Sequence, residues 1–136
     1  MKPIVKTLAA STLLVLSLSS TPALAAKIGV TMSAFDDNFL TVLRNGMGKY
    51  AESQKDISLQ FEDAQGDVGK QLNQIQNFIA QKVDAIIVNA VDTDATPKMT
   101  KLATSAGIPL VYVNRMPADK SLPAKVAYVG SNEVDS

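Results

Sequence analysis

The sequence predicts an α/β fold over residues 26–136, an open parallel sheet with helices on both faces. Three observations carry the prediction. Short apolar runs rich in β-branched residues alternate with segments whose apolar residues recur at helical spacing. The run Ala85-Ile86-Ile87-Val88 is continuous, as in a strand covered on both sides. The intervening segments are long enough to serve as right-handed crossovers between parallel neighbours, and no long linker, repeat or low-complexity stretch interrupts the order.

Lys27 to Met32 reads as the first strand and the mainly polar Ser33 to Asn38 as a loop. From Asn38 the residues Phe39, Val42, Leu43, Met47, Tyr50 and Ala51 trace one face of an amphipathic helix. Gly46 and Gly48 weaken that helix by about 1 kcal/mol each relative to alanine, so a close approach to the sheet is expected there. Ile57 to Phe61 alternates as a second strand, and Glu62 to Gly66 is a polar turn. Asp67 is the candidate cap of a second helix through Val68, Leu72, Ile75, Phe78 and Ile79. Ala85 to Val88 is the third strand. Asp92, Thr93 and Asp94 offer caps for a third helix through Met99, Leu102 and Ala103 that stops at Gly107. Ile108-Pro109 opens the fourth strand, Leu110 to Val113, where a missing N–H is tolerated. Val126 to Val129 is the fifth.

The first 25 residues stand apart. Lys2 and Lys6, the apolar run Leu8 to Leu18 and the small-x-small pattern Ala23-Leu24-Ala25 after Pro22 have the order of a cleavable secretory signal peptide. The run is shorter than the roughly 20 residues that span a bilayer, so no membrane insertion is expected after cleavage. Loss of Lys2 and Lys6 from thirteen basic residues leaves a net charge of −2 against thirteen acidic ones. The expected location is the periplasm. That balance argues against a nucleic-acid partner, which needs a basic face. The 136 residues include no cysteine, histidine or tryptophan. Thiol and Ser-His-Asp chemistry, Cys/His zinc sites and disulfides are therefore excluded, and neither an enzyme nor a cofactor or metal is implied.

In an open parallel sheet, ligands bind beyond the carboxyl ends of the strands. Ser33, Phe35, Asp36, Asp37, Asn38 and Phe39 follow the first strand, Asp63 and Gln65 the second, Asn89 and Asp92 the third, Asn114 and Arg115 the fourth, and Ser131 and Asn132 the fifth. Aromatic faces ringed by planar donors and acceptors suit a small polyhydroxylated ligand. Each has a structural alternative. Asp36 and Asp37 are also candidate helix caps, Phe39 a candidate core residue, and Asn89 and Asp92 candidate turn organisers. Arg115 is the hardest to explain structurally, because an arginine beside a buried strand end requires a partner. Gly66-Asp67-Val68-Gly69 and Gly46-Met47-Gly48 lack the spacing of a phosphate-binding loop. No second carboxylate is placed for glycoside chemistry.

These rim residues sit in segments that resemble the N-terminal lobe of type I periplasmic binding proteins, the ribose-binding-like receptors of ABC importers. The segments are Ser33-Ala34-Phe35-Asp36-Asp37-Asn38-Phe39-Leu40, Glu62-Asp63-Ala64-Gln65, Gln71 to Phe78, Ala85 to Asn89 with Asp92, Ile108 to Arg115, and Val129-Gly130-Ser131-Asn132. Within the family the wording is most similar to receptors for inositol and rhizopine, on Phe35 to Leu40 and Val113-Asn114-Arg115. The resemblance implies a non-catalytic protein that encloses a sugar or cyclic polyol between two lobes by hinge closure and presents it to a membrane permease. It implies ligand contacts from Phe39 with Asp37 and from Asn114 and Arg115, with Asn89 and Ser131 lining or bordering the cleft; Phe35 and Asp36 join the candidate ligand contacts from the strand-end reading. The ribose-type pattern has aspartate before the arginine; Asn114 departs from it and points to another polyol. The resemblance further implies that residues 26–136 are an incomplete first lobe, ending near the crossover to the second. An exported sugar sensor for a chemoreceptor or kinase uses the same lobe. The effector domain of a LacI-type regulator does too, but it needs a helix-turn-helix where the leader stands.

Overall fold

The computed structural model describes residues 24–131; the predicted leader, but for its last two residues, and Asn132 lie outside them. Five strands form one wholly parallel sheet: β1 (Ala26–Met32), β2 (Ile57–Asp63), β3 (Ala85–Val88), β4 (Leu110–Val113) and β5 (Val126–Val129), in the spatial order β2-β1-β3-β4-β5. The helices are α1 (Asn38–Ser53), α2 (Val68–Ala80) and α3 (Thr96–Ser105), with a short 3₁₀ turn at Thr93–Ala95. The predicted fold class is therefore the observed one. β2 runs two residues further than its alternation suggested, because Glu62 and Asp63 keep pairing with Thr31 and Met32.

Strand periodicity sorts the two faces of the sheet. Ile28, Val30 and Met32 of β1 pack with Leu40, Leu43 and Met47 of α1. On the opposite face, Ile86, Val88, Leu110 and Tyr112 pack with Ile75 and Phe78 of α2 and Met99 and Ala103 of α3. Gly29 lies on that second face directly beneath the Phe78 ring, where an added Cβ would run into Cγ. This is the close helix–sheet approach that the sequence placed wrongly. Gly46 and Gly48 have nothing within 4 Å of where a Cβ would stand, so neither admits a closer contact.

The inward face of α1 differs from the predicted one as well. Leu40 and Ala51 are its buried residues, whereas Phe39, Val42 and Tyr50 are exposed. The helix is rotated so that Leu40, Leu43, Met47 and Ala51, at spacings of three and four, meet the sheet. The cap of α3 is corrected too. Asp92 caps the 3₁₀ turn by accepting from the Asp94 N–H at 2.9 Å, while α3 itself starts at Thr96, with Ala95 as an N-cap that offers no side-chain bond and with proline in its first turn. Gly107 ends that helix in the left-handed region, at φ 71°.

The order β2-β1-β3 means that the chain leaves β1 in one direction and returns across it to β3. The crevice of such a sheet opens where these connections part, beyond the carboxyl ends of β1 and β3. On the α1 side, no helix among the described residues covers β4 and β5: Val111 and Val113 are half-buried and Val129 is 62% exposed.

Candidate functional site

Ser33 and Asn89 stand at the floor of that crevice. Asn89 is fully buried, and its Oδ1 accepts from the Ser33 N–H at 3.1 Å and from the Ser33 hydroxyl at 2.6 Å. Its amide donates to the Val113 carbonyl at 3.4 Å, a long bond. The Ser33 carbonyl in turn accepts from the Gly66 N–H at 2.8 Å, so the loop after β2 is tied to the loop after β1. Gln65 and Gly66 both take positive φ to make that loop, at 53° and 71°. One buried asparagine and one serine thus join the ends of four strands. The structure gives Asn89 no exposed surface, so as placed it organises the rim rather than standing on it.

Two further buried amides brace the same ends from α2. Gln71 and Gln74 share the inward face of α2 with Ile75 and Phe78. Gln74 accepts from the Thr31 hydroxyl at 2.7 Å and donates to the Asp63 carbonyl at 2.8 Å. Gln71 donates to Thr31 Oγ1 at 3.1 Å and to the Asn89 carbonyl at 2.9 Å, and accepts from the Val91 N–H at 2.8 Å. The sequence contained a signal for both: each lies four residues before an apolar residue of the same face, Gln71 before Ile75 and Gln74 before Phe78. Buried polar groups require partners, and here nearly every polar atom has one.

Of the residues above this floor, Asp36 to Phe39 are exposed. Asp37 caps α1, its Oδ1 accepting from the Leu40 N–H at 2.9 Å, and Asp36 stands beside it in solvent. The two aromatics of the loop divide. Phe35 is half-buried, packed on the α1 cluster with the Arg44 guanidinium 3.9 Å from its ring centre, a cation–π contact. Phe39 is 61% exposed. A depression of about 460 Å³ lies between the loops after β1 and β2, lined by Ala34, Phe35, Asp36, Asp63, Gln65 and Gly66.

At the end of β4 the chain turns through Asn114 at φ 69°, a left-handed conformation that asparagine tolerates better than most residues. Its N–H donates to the Val129 carbonyl at 3.0 Å. The turn delivers Arg115, whose Nη1 donates to the carbonyls of Ala90 and Val91, both at 2.9 Å. The partner that an arginine at this place requires is thus the backbone of the loop after β3. Arg115 remains an exposed residue, and no partner for its Nε or Nη2 is found among the described residues. Ser131 lies exposed just after β5. Among the described residues no group of three or more acidic, histidine or cysteine side chains is placed to hold a metal ion.

Residues 28–136 match the family model of the periplasmic binding protein domain. The chain belongs to that family. It is 62% identical over 120 residues to a provisionally assigned rhizopine-binding protein of Rhizobium meliloti, covering 88% of this chain and 39% of that protein. It is 32% identical over 112 residues to the D-galactose/methyl-galactoside binding periplasmic protein of Haemophilus influenzae, covering 81% and 34%. Among solved structures, an ABC transporter solute binding protein of Bacillus halodurans with bound myo-inositol superimposes with a TM-score of 0.76 at 36% identity, covering 85% of this chain and 39% of that one. The chain therefore spans well under half the length of these relatives. They are solute-binding proteins, and this periplasmic binding protein domain is not an enzyme.

Proposed function

We propose that this domain is the first lobe of a periplasmic receptor that takes a monosaccharide or cyclic polyol, of the inositol or rhizopine kind, at the carboxyl ends of its strands and presents it to the permease of an ABC importer. The observation that carries the reading is Arg115. One guanidinium nitrogen is fixed on two carbonyls, which orients the planar fork so that its remaining N–H groups can pair with neighbouring hydroxyls without first being ordered. Asn114 beside it both donates and accepts through its amide. Phe39 offers an apolar face for the C–H side of a ring, while Asp36, Asp37 and Ser131 add polar contacts along the rim. Phe35 supplies the wall of the depression, and Asn89 acts from below by setting Ser33. A second lobe contributes the opposite wall, and closure about a hinge is stabilised by the contacts that the ligand makes with both. The leader directs export, and residues 26–136 form the lobe.

Isothermal titration of a receptor that joins this lobe to its second lobe, against pentoses, hexoses and inositols, tests the reading. Heat is expected with a cyclic polyol. The Arg115→Ala variant is expected to lose it while melting close to the parent. No heat with any of these ligands overturns the proposal, and collapse of the fold in Arg115→Ala shows the arginine to be structural.

A further inference from the structure

The peptide unit between Ala90 and Val91 is held from both ends. Its N–H donates to Gln71 Oε1 at 2.8 Å, and its carbonyl accepts from Arg115 Nη1 at 2.9 Å. In a trans peptide these two groups point in opposite directions, so Gln71 and Arg115 grip one peptide plane from opposite sides. Gln71 also takes the neighbouring Asn89 carbonyl, at 2.9 Å, and therefore fixes two successive peptide planes. Hydrogen bonds in line through one amide polarise one another, and a fully buried position strengthens the effect.

From this geometry we infer that Gln71 is a positioning residue for Arg115: it never reaches the rim, but it sets the peptide that carries the Ala90 carbonyl, one of the two on which the guanidinium rests. The inference relies on the proposed binding reading only for its consequence, a fork held ready for hydroxyls. Gln74 supplies the contrast. It lies on the same face of α2 and is 7% exposed, yet it bonds no peptide of the loop after β3: it shares only the Thr31 hydroxyl with Gln71 and otherwise donates to the Asp63 carbonyl of β2. A general loosening of buried amides would affect both glutamines alike, whereas a positioning role belongs to Gln71.

The chain has two arginines, Arg44 and Arg115, so ¹⁵N spectra of the guanidinium groups resolve them, with Arg44→Lys giving the assignment. In the full chain, Gln71→Met is expected to speed rotation of the Arg115 guanidinium about tenfold and leave Arg44 unchanged, while Gln74→Met leaves both unchanged. Gln71→Glu is the second variant. A protonated glutamic acid still accepts from the Val91 N–H and has one O–H for the Asn89 carbonyl, whereas the carboxylate can only accept, so slow rotation is expected to return on acidification. With myo-inositol as probe, Gln71→Met is expected to weaken affinity about tenfold and Gln74→Met to leave it unchanged. Unchanged Arg115 rotation in Gln71→Met, or equal effects of the Gln71 and Gln74 variants, overturns the inference. A parent that binds no polyol while the rotation effect holds overturns the functional reading instead and leaves the positioning role supported.

Discussion

Replacing Asn89 by alanine tests whether the floor of the crevice is one unit. The substitution removes the acceptor of two Ser33 donors, at 3.1 and 2.6 Å, and a weak donor to Val113 at 3.4 Å, from a site with no exposed surface. A buried backbone N–H left without a partner costs about 1–3 kcal/mol. The Ser33 hydroxyl can rotate and recovers part of its loss, and the long bond to Val113 adds little. The sum is about 2–4 kcal/mol, a large share of the roughly 5–15 kcal/mol that stabilises a typical domain. With a urea slope of about 1–3 kcal/mol/M, the midpoint should fall by about 1–2 M. Asn89→Asp keeps an acceptor for both Ser33 donors but buries a carboxylate beside a carbonyl. Burial raises the carboxyl pKa in the folded state, so this variant should match the parent best in acid and weaken as the pH rises. Urea unfolding followed by circular dichroism reads all three proteins. An Asn89→Ala midpoint within about 0.2 M of the parent (about 0.2–0.6 kcal/mol at these slopes) would refute the brace.

Two further perturbations follow. The Tyr112 phenol is pushed up from 10.0 to about 12, chiefly by burial, with the Asp119 carboxylate adding and the Thr100 hydrogen bond opposing. The folded state therefore keeps a proton that the unfolded chain releases from about pH 10, and stability should fall by about 2–3 kcal/mol between pH 10 and 12. In Tyr112→Phe the fall should be shallower by that amount; parallel urea midpoints across this range would contradict it. The glycines should respond with opposite signs. Gly29→Ala drives a methyl into the Phe78 ring and should cost about 1–3 kcal/mol, a cost that should largely vanish in a Phe78→Ala background, which lacks the Cγ and Cδ atoms the methyl meets. Gly46→Ala, on the open side of α1, should gain about 0.5–1 kcal/mol. Thermal melts showing the same sign for both would contradict the packing.

The strands and helices were legible because each carries its own period, and β3 because its run is unbroken. The inward face of α1 was not. Phe39, Val42 and Tyr50 fit helical spacing as well as Leu40 does, and only the sheet decides which stripe it receives. Gly29 sits in a strand, where sequence alone gives no hint of an aromatic ring overhead. At the site, the strand-end rule found the rim but could not separate contact from support. Asn89 reads as a polar strand-end residue like Asn114, yet one is fully buried against Ser33 and the other is exposed on a left-handed turn. Gln71 and Gln74 were visible as polar residues on an apolar stripe, but their roles depend on peptide groups eighteen or more residues away in sequence for Gln71 and on a strand forty-three residues away for Gln74.

The most direct test of the central claim, that ligand is held at the strand ends around Arg115, is an amide shift map of the ¹⁵N-labelled chain titrated with myo-inositol. Shifts confined to residues 33–39, 89–92, 113–115 and 131 are predicted, and they should vanish in Arg115→Ala. Shifts clustered instead along the outer flank of α1 around Arg44 and Glu52, or none up to millimolar ligand, would contradict it.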